Sequence, residues 1–350
     1  MNELRQQIPV SFSGQGGEYF RIWIVNLCLS ILTLGIYSAW AKVRRTQYFY
    51  RHTSVAGASF DYHGNPVAIL KGRIIALTLF VGYSVASNLN PIAGLAVFAV
   101  LMAVMPWLLV RSYRFKLHNA SYRGLRFSFH GSTGDAYVYF LLLPLASYVS
   151  LGFLWPLAHQ QITRFIRNNS RYGNGRFAFQ SGAGAFYVPY LIVFGVSILL
   201  ILAAIGLGAW WVADLPQAPA GDAARQAEIL RIVLVAVMAV YIGLLLFAVP
   251  YLGARLQNVI WNNTSLGPVG FVSTLRARDL FGILISNLLL IILTLGLFKP
   301  FADLRLVRYR MQHLSLLADA DLDAFIAERE QEVAATGEEM ADLFDLDISI

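Results

Sequence analysis

Seven apolar runs, near residues 22–40, 74–89, 92–110, 136–158, 186–213, 232–252 and 280–301, leave this chain little choice of solvent. About 20 apolar residues cross the hydrocarbon of a bilayer as a helix. Only 13% of the 350 residues are charged and 57% are hydrophobic, with a mean hydropathy of +0.58. A soluble domain carries about 25% charged residues, so one water-soluble core cannot hide this much apolar surface. The second run is short, but Lys71 and Arg73 can snorkel from a longer helix to the interface. Asn88, Asn90 and Pro91 then mark a tight turn into the third. The spacing predicts seven transmembrane helices, or six if the second and third runs form a re-entrant hairpin. Glu3, Arg5 and Gln6 precede Ile22 without a long apolar run. A cleaved signal peptide does not look like that, and the first span is expected to be an uncleaved anchor. Cys28 is the single cysteine, which removes any intramolecular disulfide framework.

The net charge of +7 conceals two opposite regions. From Asp319 onward there are 11 acidic residues and one base, Arg329, leaving 26 basic and 9 acidic residues before it, a balance of +17. The chain therefore divides into a transmembrane domain, 1–318, and an acidic tail, 319–350. The bases lie in loops between apolar runs, where they meet anionic lipid headgroups; short basic loops of this kind do not make a nucleic-acid-binding domain. Cytoplasmic loops collect Lys and Arg. With seven spans, one side gathers 16 bases and the other nine, which predicts a periplasmic N-terminus and a cytoplasmic C-terminus.

Polar positions recur at fixed spacing. Glu18, Phe20, Asn26, Leu27, Thr33, Leu34 and Gly35 match Asp279, Phe281, Asn287, Leu288, Thr294, Leu295 and Gly296 at a constant offset of 261 residues, continuing to Arg44 and Arg305. The loops recur as well. Gly57, Phe60, Tyr62, His63 and Gly64 match Gly124, Phe127, Phe129, His130 and Gly131, with a fainter copy at Gly175, Phe177 and Phe179. Pro106, Pro156 and Pro250 each precede a phenylalanine (Phe127, Phe177, Phe271) by 21 residues, as Ala39 precedes Phe60. His52, Asn119, Asn168–Asn169, Asn262–Asn263 and His313 stand where helices should stop. Aromatic pairs at i and i+2 have strand period, so each loop reads as a helix end, a stop and a short interfacial strand. The intervals from strand to the next proline-type position are 27, 44, 27, 71 and 27 residues. They suggest single, double, single, double and single spans. The fold class expected is an all-α polytopic membrane protein of about seven helices built from internal, inverted repeats. Short interfacial β-strands in its loops and an acidic helical tail complete it.

Thr33 to Trp40, followed by Lys42, Arg44, Arg45 and the Gly57, Phe60, Tyr62, Gly64 set, resembles the signature of the YjgN family of bacterial inner-membrane proteins. The resemblance extends over nearly the whole chain, although Trp40 is replaced by Leu157, Tyr251 and Phe301 in the later copies. It implies an inner-membrane location and a family of unknown function, with a membrane partner such as a metallopeptidase as an expectation.

No zinc-protease, nucleophile-elbow or phosphate-loop motif occurs, so no enzyme, cofactor or metal is expected. No charged residue lies mid-span, which argues against proton pumping. Glu18, Asp135 and Asp279 suit the positive ends of helices. Asp319, Asp321, Asp323 and Glu330 imitate a calcium loop, but Ala324 stands where its sharp turn needs glycine; a solvated acidic helix fits better. Two functions remain open. One is small-solute or lipid handling through a polar site at Glu18, Asn26, Asp279 and Asn287. The other is a non-enzymatic scaffold or regulator of a membrane partner.

Overall fold

A computed structural model describes residues 6–215 and 222–318, with Ala327 alone beyond them. The acidic tail, its calcium-like pattern and the middle of the 214–228 insertion lie outside the described residues.

The loop strands do not remain separate. They are β1 (Gln6–Pro9), β2 (Ser11–Phe12), β3 (Thr53–Val55), β4 (Ala58–Tyr62), β5 (Ala120–Tyr122), β6 (Leu125–Phe129), β7 (Ser170–Tyr172), β8 (Gly175–Phe179), β9 (Thr264–Leu266), β10 (Val269–Ser273) and β11 (Leu314–Ala318). All pair antiparallel in the order β1-β11-β10-β9-β8-β7-β6-β5-β4-β3-β2. Because β1 and β2 are successive segments joined through Val10, both edges of the sheet are one piece of chain. The sheet closes as a barrel, which removes its exposed edges. Alternation places Val10, Val55, Tyr122, Leu125, Tyr172, Leu266, Val269 and Leu314 together in its buried interior.

Five junctions between helix and strand are built alike. His52, Asn119, Asn169, Asn263 and His313 are the C-caps of their helices. Each side-chain nitrogen meets the carbonyl four residues earlier, at 2.7–2.8 Å. This brings a side-chain donor to a carbonyl of the last turn, which at His52, Asn119 and Asn169 also accepts from the cap's own amide. The cap's own carbonyl accepts from the residue leaving the neighbouring strand: Ser13 to His52, His63 to Asn119, His130 to Asn169, Gln180 to Asn263 and Thr274 to His313. The same interactions thus end the helix and seat the strand.

Four helices are long and apolar enough to cross a membrane: α3 (Pro66–Leu89), α4 (Pro91–His118), α8 (Gly184–Ala213) and α9 (Ala223–Asn262). They form two hairpins, and the Asn90 side chain caps the first turn of α4. The runs at 22–40, 136–158 and 280–301, expected as single spans, are instead interrupted. In the first, α1 (Gly16–Leu32) ends and α2 (Ser38–Arg51) turns back beside it. In the second, α5 (Thr133–Tyr137), a π-helical turn (Val138–Leu142) and α6 (Leu143–Val149) precede α7 (Trp155–Asn168). In the third, α10 (Ala277–Leu293) precedes α11 (Lys299–Gln312).

The reversal has one local cause. Leu34 and Gly35, Leu151 and Gly152, and Leu295 and Gly296 are all left-handed, with φ of 49° and 91°, 53° and 88°, and 49° and 92°. Such a pair stops a helix. Thr33 Oγ1 donates to the Leu29 carbonyl and accepts from the Tyr37 amide; Thr294 does the same between Leu290 and Phe298. The three tip leucines are 94–95% exposed. The Thr-Leu-Gly sequence expected inside a span is therefore the point at which the chain turns round.

These reversals also alter the expected topology. Gln6–Pro9 pairs directly with Leu314–Ala318, so the two described ends lie side by side. The expected inversion of the second set of spans is not seen among the described residues, whose strands all join one sheet. Four candidate spans, an even number, are compatible with that pairing, whereas seven are not.

Candidate functional site

Inside the barrel lies a cavity of about 470 Å³, within the range of small-molecule sites. Its wall follows from the strand register. Phe60 lies opposite Tyr122, Phe127 opposite Tyr172, Phe177 opposite Leu266 and Phe271 opposite Leu316. The phenylalanines stack successively, with ring centroids 6.5, 6.5 and 6.3 Å apart from Phe60 to Phe271. Val10 completes the circle from the closing strand.

The two ends of the cavity differ. Away from the helices, the hairpin turns carry Ala56–Gly57 and Arg123–Gly124 with positive φ at both positions, the geometry that matches strand twist. Hydroxyls lace this end together: Tyr122 donates to the Val55 carbonyl at 2.8 Å and Tyr172 to the Tyr122 carbonyl at 3.0 Å. Arg123 donates to the Ala56 carbonyl at 2.9 Å. Towards the helices, the wall is made by the last turns of α2, α4, α7, α9 and α11, through Tyr50, Leu117, Arg167, Trp261 and Met311. The cavity therefore extends into the layer where the helices emerge.

Two cations line this otherwise apolar space, Lys116 and Arg167. The Arg167 guanidinium lies 4.2 Å from the centre of the Trp261 ring, which itself packs 5.2 Å from Phe271. Burial pushes the Arg167 guanidinium down to about 10, which still leaves it charged at neutral pH. Neither cation forms an ion pair among the described residues.

The four polar residues singled out in the sequence make contacts within their own short hairpins. Glu18 accepts from the Tyr48 hydroxyl at 3.2 Å and lies 3.5 Å from His52 Nε2. Asp279 lies 3.5 Å from Arg278. Asn287 is buried, donates to the Ala302 carbonyl at 3.2 Å and accepts from Arg305 at 2.9 Å. Asn26, its counterpart, is buried too, but its Oδ1 has no hydrogen-bond partner among the described residues.

The signature residues mostly have structural positions. Trp40 stacks on Tyr37 at 6.2 Å, and Arg44 reaches the Tyr37 hydroxyl at 3.4 Å, while Lys42 is exposed. Gly57 and Gly124 make the turns, and Phe60 and Phe127 line the cavity. Tyr62 and Phe129 are buried with their rings over Gly64 and Gly131, where a Cβ would come within 2.4 and 2.6 Å of them. Sequence reasoning missed Arg167 and Trp261. Both stand 11 residues after a proline, Pro156 and Pro250, so the same spacing that located the strands pointed to them.

Among known proteins, residues 7–343 match a family described as bacterial protein of unknown function (DUF898). The inner membrane protein YjgN of Salmonella typhimurium is 33% identical over 144 residues, covering 40% of this chain and 36% of the relative. Its namesake in Escherichia coli K12 is 28% identical over 148 residues, with the same coverage. The aligned segment thus spans little more than a third of these curated relatives. No solved structure matches.

Proposed function

We propose, for a chain that belongs to the DUF898 family of bacterial proteins of unknown function, that it is a multi-pass inner-membrane protein that handles lipid by taking hydrocarbon into its barrel. The observation that carries this reading is the cavity itself. It is enclosed by stacked phenylalanines, laced shut at the turn end, and continued by apolar residues into the helix layer. Removing such a wall from water favours an apolar guest, and the helix layer is where acyl chains are available. A pathway for ions or polar solutes would need groups that replace their hydration, and this wall offers few.

The rest of the reading follows from the same geometry. Five copies of one unit, two with a full transmembrane hairpin and three with a short one, surround the barrel. In the short hairpins a 17-residue first leg is about 26 Å long at 1.5 Å per residue, against about 30 Å of hydrocarbon. The exposed tip leucines enter the lipid without emerging on the other side. Among the described residues, only Arg225 and Arg231 flank the loops joining α3 to α4 and α8 to α9, while most of the 27 Lys and Arg lie on the strand side. The barrel and both described ends are therefore cytoplasmic. Glu18 and Asn287 tie the two legs of their short hairpins together rather than lining a pathway.

Binding of radiolabelled monopalmitoylglycerol, an uncharged single-chain lipid, to the purified protein in a neutral detergent tests this. Saturable binding near one per chain is expected, and Leu266→Trp, which fills the cavity, should abolish it. Absence of saturable binding, or equal binding by the filled variant, overturns the reading.

A further inference from the structure

We propose that the cavity is selective for an anionic single-chain amphiphile, whose head is held by Arg167 and Lys116 while its tail runs along the phenylalanine ring. This deepens, and rests on, the lipid-binding reading above. Both cations lie at the helix-facing end of an apolar space. Neither is neutralised by a carboxylate among the described residues.

A partly buried guanidinium with no counter-ion among the described residues is costly, because burial strips away part of its hydration. The face of Trp261 offsets some of that loss, but a ring face leaves the in-plane N–H donors unused. An anion supplies acceptors for them, and the planar fork of arginine suits the oxygen pairs of a carboxylate or phosphate. Burial lowers the Arg167 pKa without removing its charge, so the site is cationic throughout the physiological range. Lys116, exposed at the end of α4, adds a second positive charge facing the same opening.

The position of the pair decides which part of the guest is charged. Arg167 and Lys116 are one or two residues from the last helical residues of α7 and α4, whereas Phe127 and Phe177 line the wall inside the barrel. Charge at the mouth and hydrocarbon within match a molecule with one anionic end and one tail. A diacyl lipid would have to leave its second chain outside. A free inorganic anion would occupy the mouth and leave the aromatic wall empty.

Three probes distinguish these cases in the purified protein: palmitate, monopalmitoylglycerol and inorganic phosphate. Palmitate should bind about tenfold or more tightly than the glycerol ester, the scale expected for a hydrogen bond to a charged group. Phosphate alone should neither bind measurably nor displace palmitate at millimolar concentration. Arg167→Met keeps the apolar bulk and removes the charge. It should cut palmitate affinity about tenfold and leave the glycerol ester within about twofold. Lys116→Gln, at an exposed site where misfolding is not expected, should weaken palmitate severalfold and flatten its salt dependence. Equal affinity for palmitate and its uncharged ester, or unaltered palmitate binding in both variants, overturns the selectivity while leaving the lipid-binding reading intact. Phosphate displacing palmitate one for one would assign the mouth to a free anion and overturn it as well. If neither lipid binds, the lipid-binding reading itself has failed.

Discussion

Asn26 and Asn287 occupy matching places in the first and last short hairpins, yet they should respond oppositely to replacement by leucine. Asn287 donates to the Ala302 carbonyl and accepts from the Arg305 guanidinium. Asn287→Leu removes a bond to a charged group, about 1.5–3 kcal/mol, and a neutral one, about 0.5–1.5 kcal/mol. Leucine's extra apolar burial recovers part of this, leaving a net destabilisation of about 1–3 kcal/mol. Asn26 begins from a different balance, because its buried Oδ1 has no partner among the described residues. Asn26→Leu removes a group whose unsatisfied burial costs about 1–3 kcal/mol, so the variant should be neutral or more stable. The assay is equilibrium unfolding of each variant in one detergent, with tryptophan fluorescence as signal, alongside palmitate binding. Equal destabilisation by both substitutions would refute the hydrogen-bond account. Loss of palmitate binding with unchanged stability in either variant would refute their assignment to packing and restore a polar pathway.

Gly131→Ala should destabilise by about 1–3 kcal/mol, since the new Cβ would lie 2.6 Å from the Phe129 ring and 2.8 Å from Phe165; a thermal melt in detergent measures it. Thr294→Val removes the hydroxyl that bridges Leu290 and Phe298 at the third reversal and should cost about 1 kcal/mol, read by faster proteolysis at that tip. In β4, burial would raise the Asp61 carboxyl, but its bonds to the Arg51 guanidinium and the Tyr62 amide outweigh this and hold it below its ordinary value of 3.8. Its stabilisation is therefore present above that value and lost as pH falls through the depressed one. The pair is largely exposed, so Asp61→Asn should cost at most about 1 kcal/mol at pH 7 and nothing in strong acid, measured by unfolding against pH.

What could be read from the sequence was local. The aromatic pair Phe127 and Phe129 has strand period, and the C-cap role of Asn119, Asn169 and Asn263 follows from a stop 13 residues after a proline. Neither signal says which strands meet. The pairing of Gln6–Pro9 with Leu314–Ala318 joins the two ends of the sequence, and no local pattern encodes so distant a contact. Hydropathy also misjudged the short hairpins, because residues 22–40 are apolar whether the chain continues or turns round. The turn lies in backbone conformation, with Leu34 left-handed beside Gly35, and leucine is not a residue that advertises this. The candidate site was hidden for the same reason. Phe60, Phe127, Phe177 and Phe271 were visible as equivalent positions, but their common cavity exists only once the sheet has closed.

Closure is most directly tested by thiol crosslinking between β1 and β11. Gln7 and Leu317 are register partners, and opposed residues in an antiparallel pair have Cα atoms about 4.5–5.5 Å apart. With Cys28 replaced by serine, Gln7→Cys and Leu317→Cys in one chain should crosslink almost completely in native membranes, seen as a mobility shift that reducing agent reverses. Neither single variant should shift. A double variant that stays uncrosslinked, with its two thiols labelled by impermeant reagent from opposite sides of the membrane, would contradict the closed barrel and restore an odd number of spans.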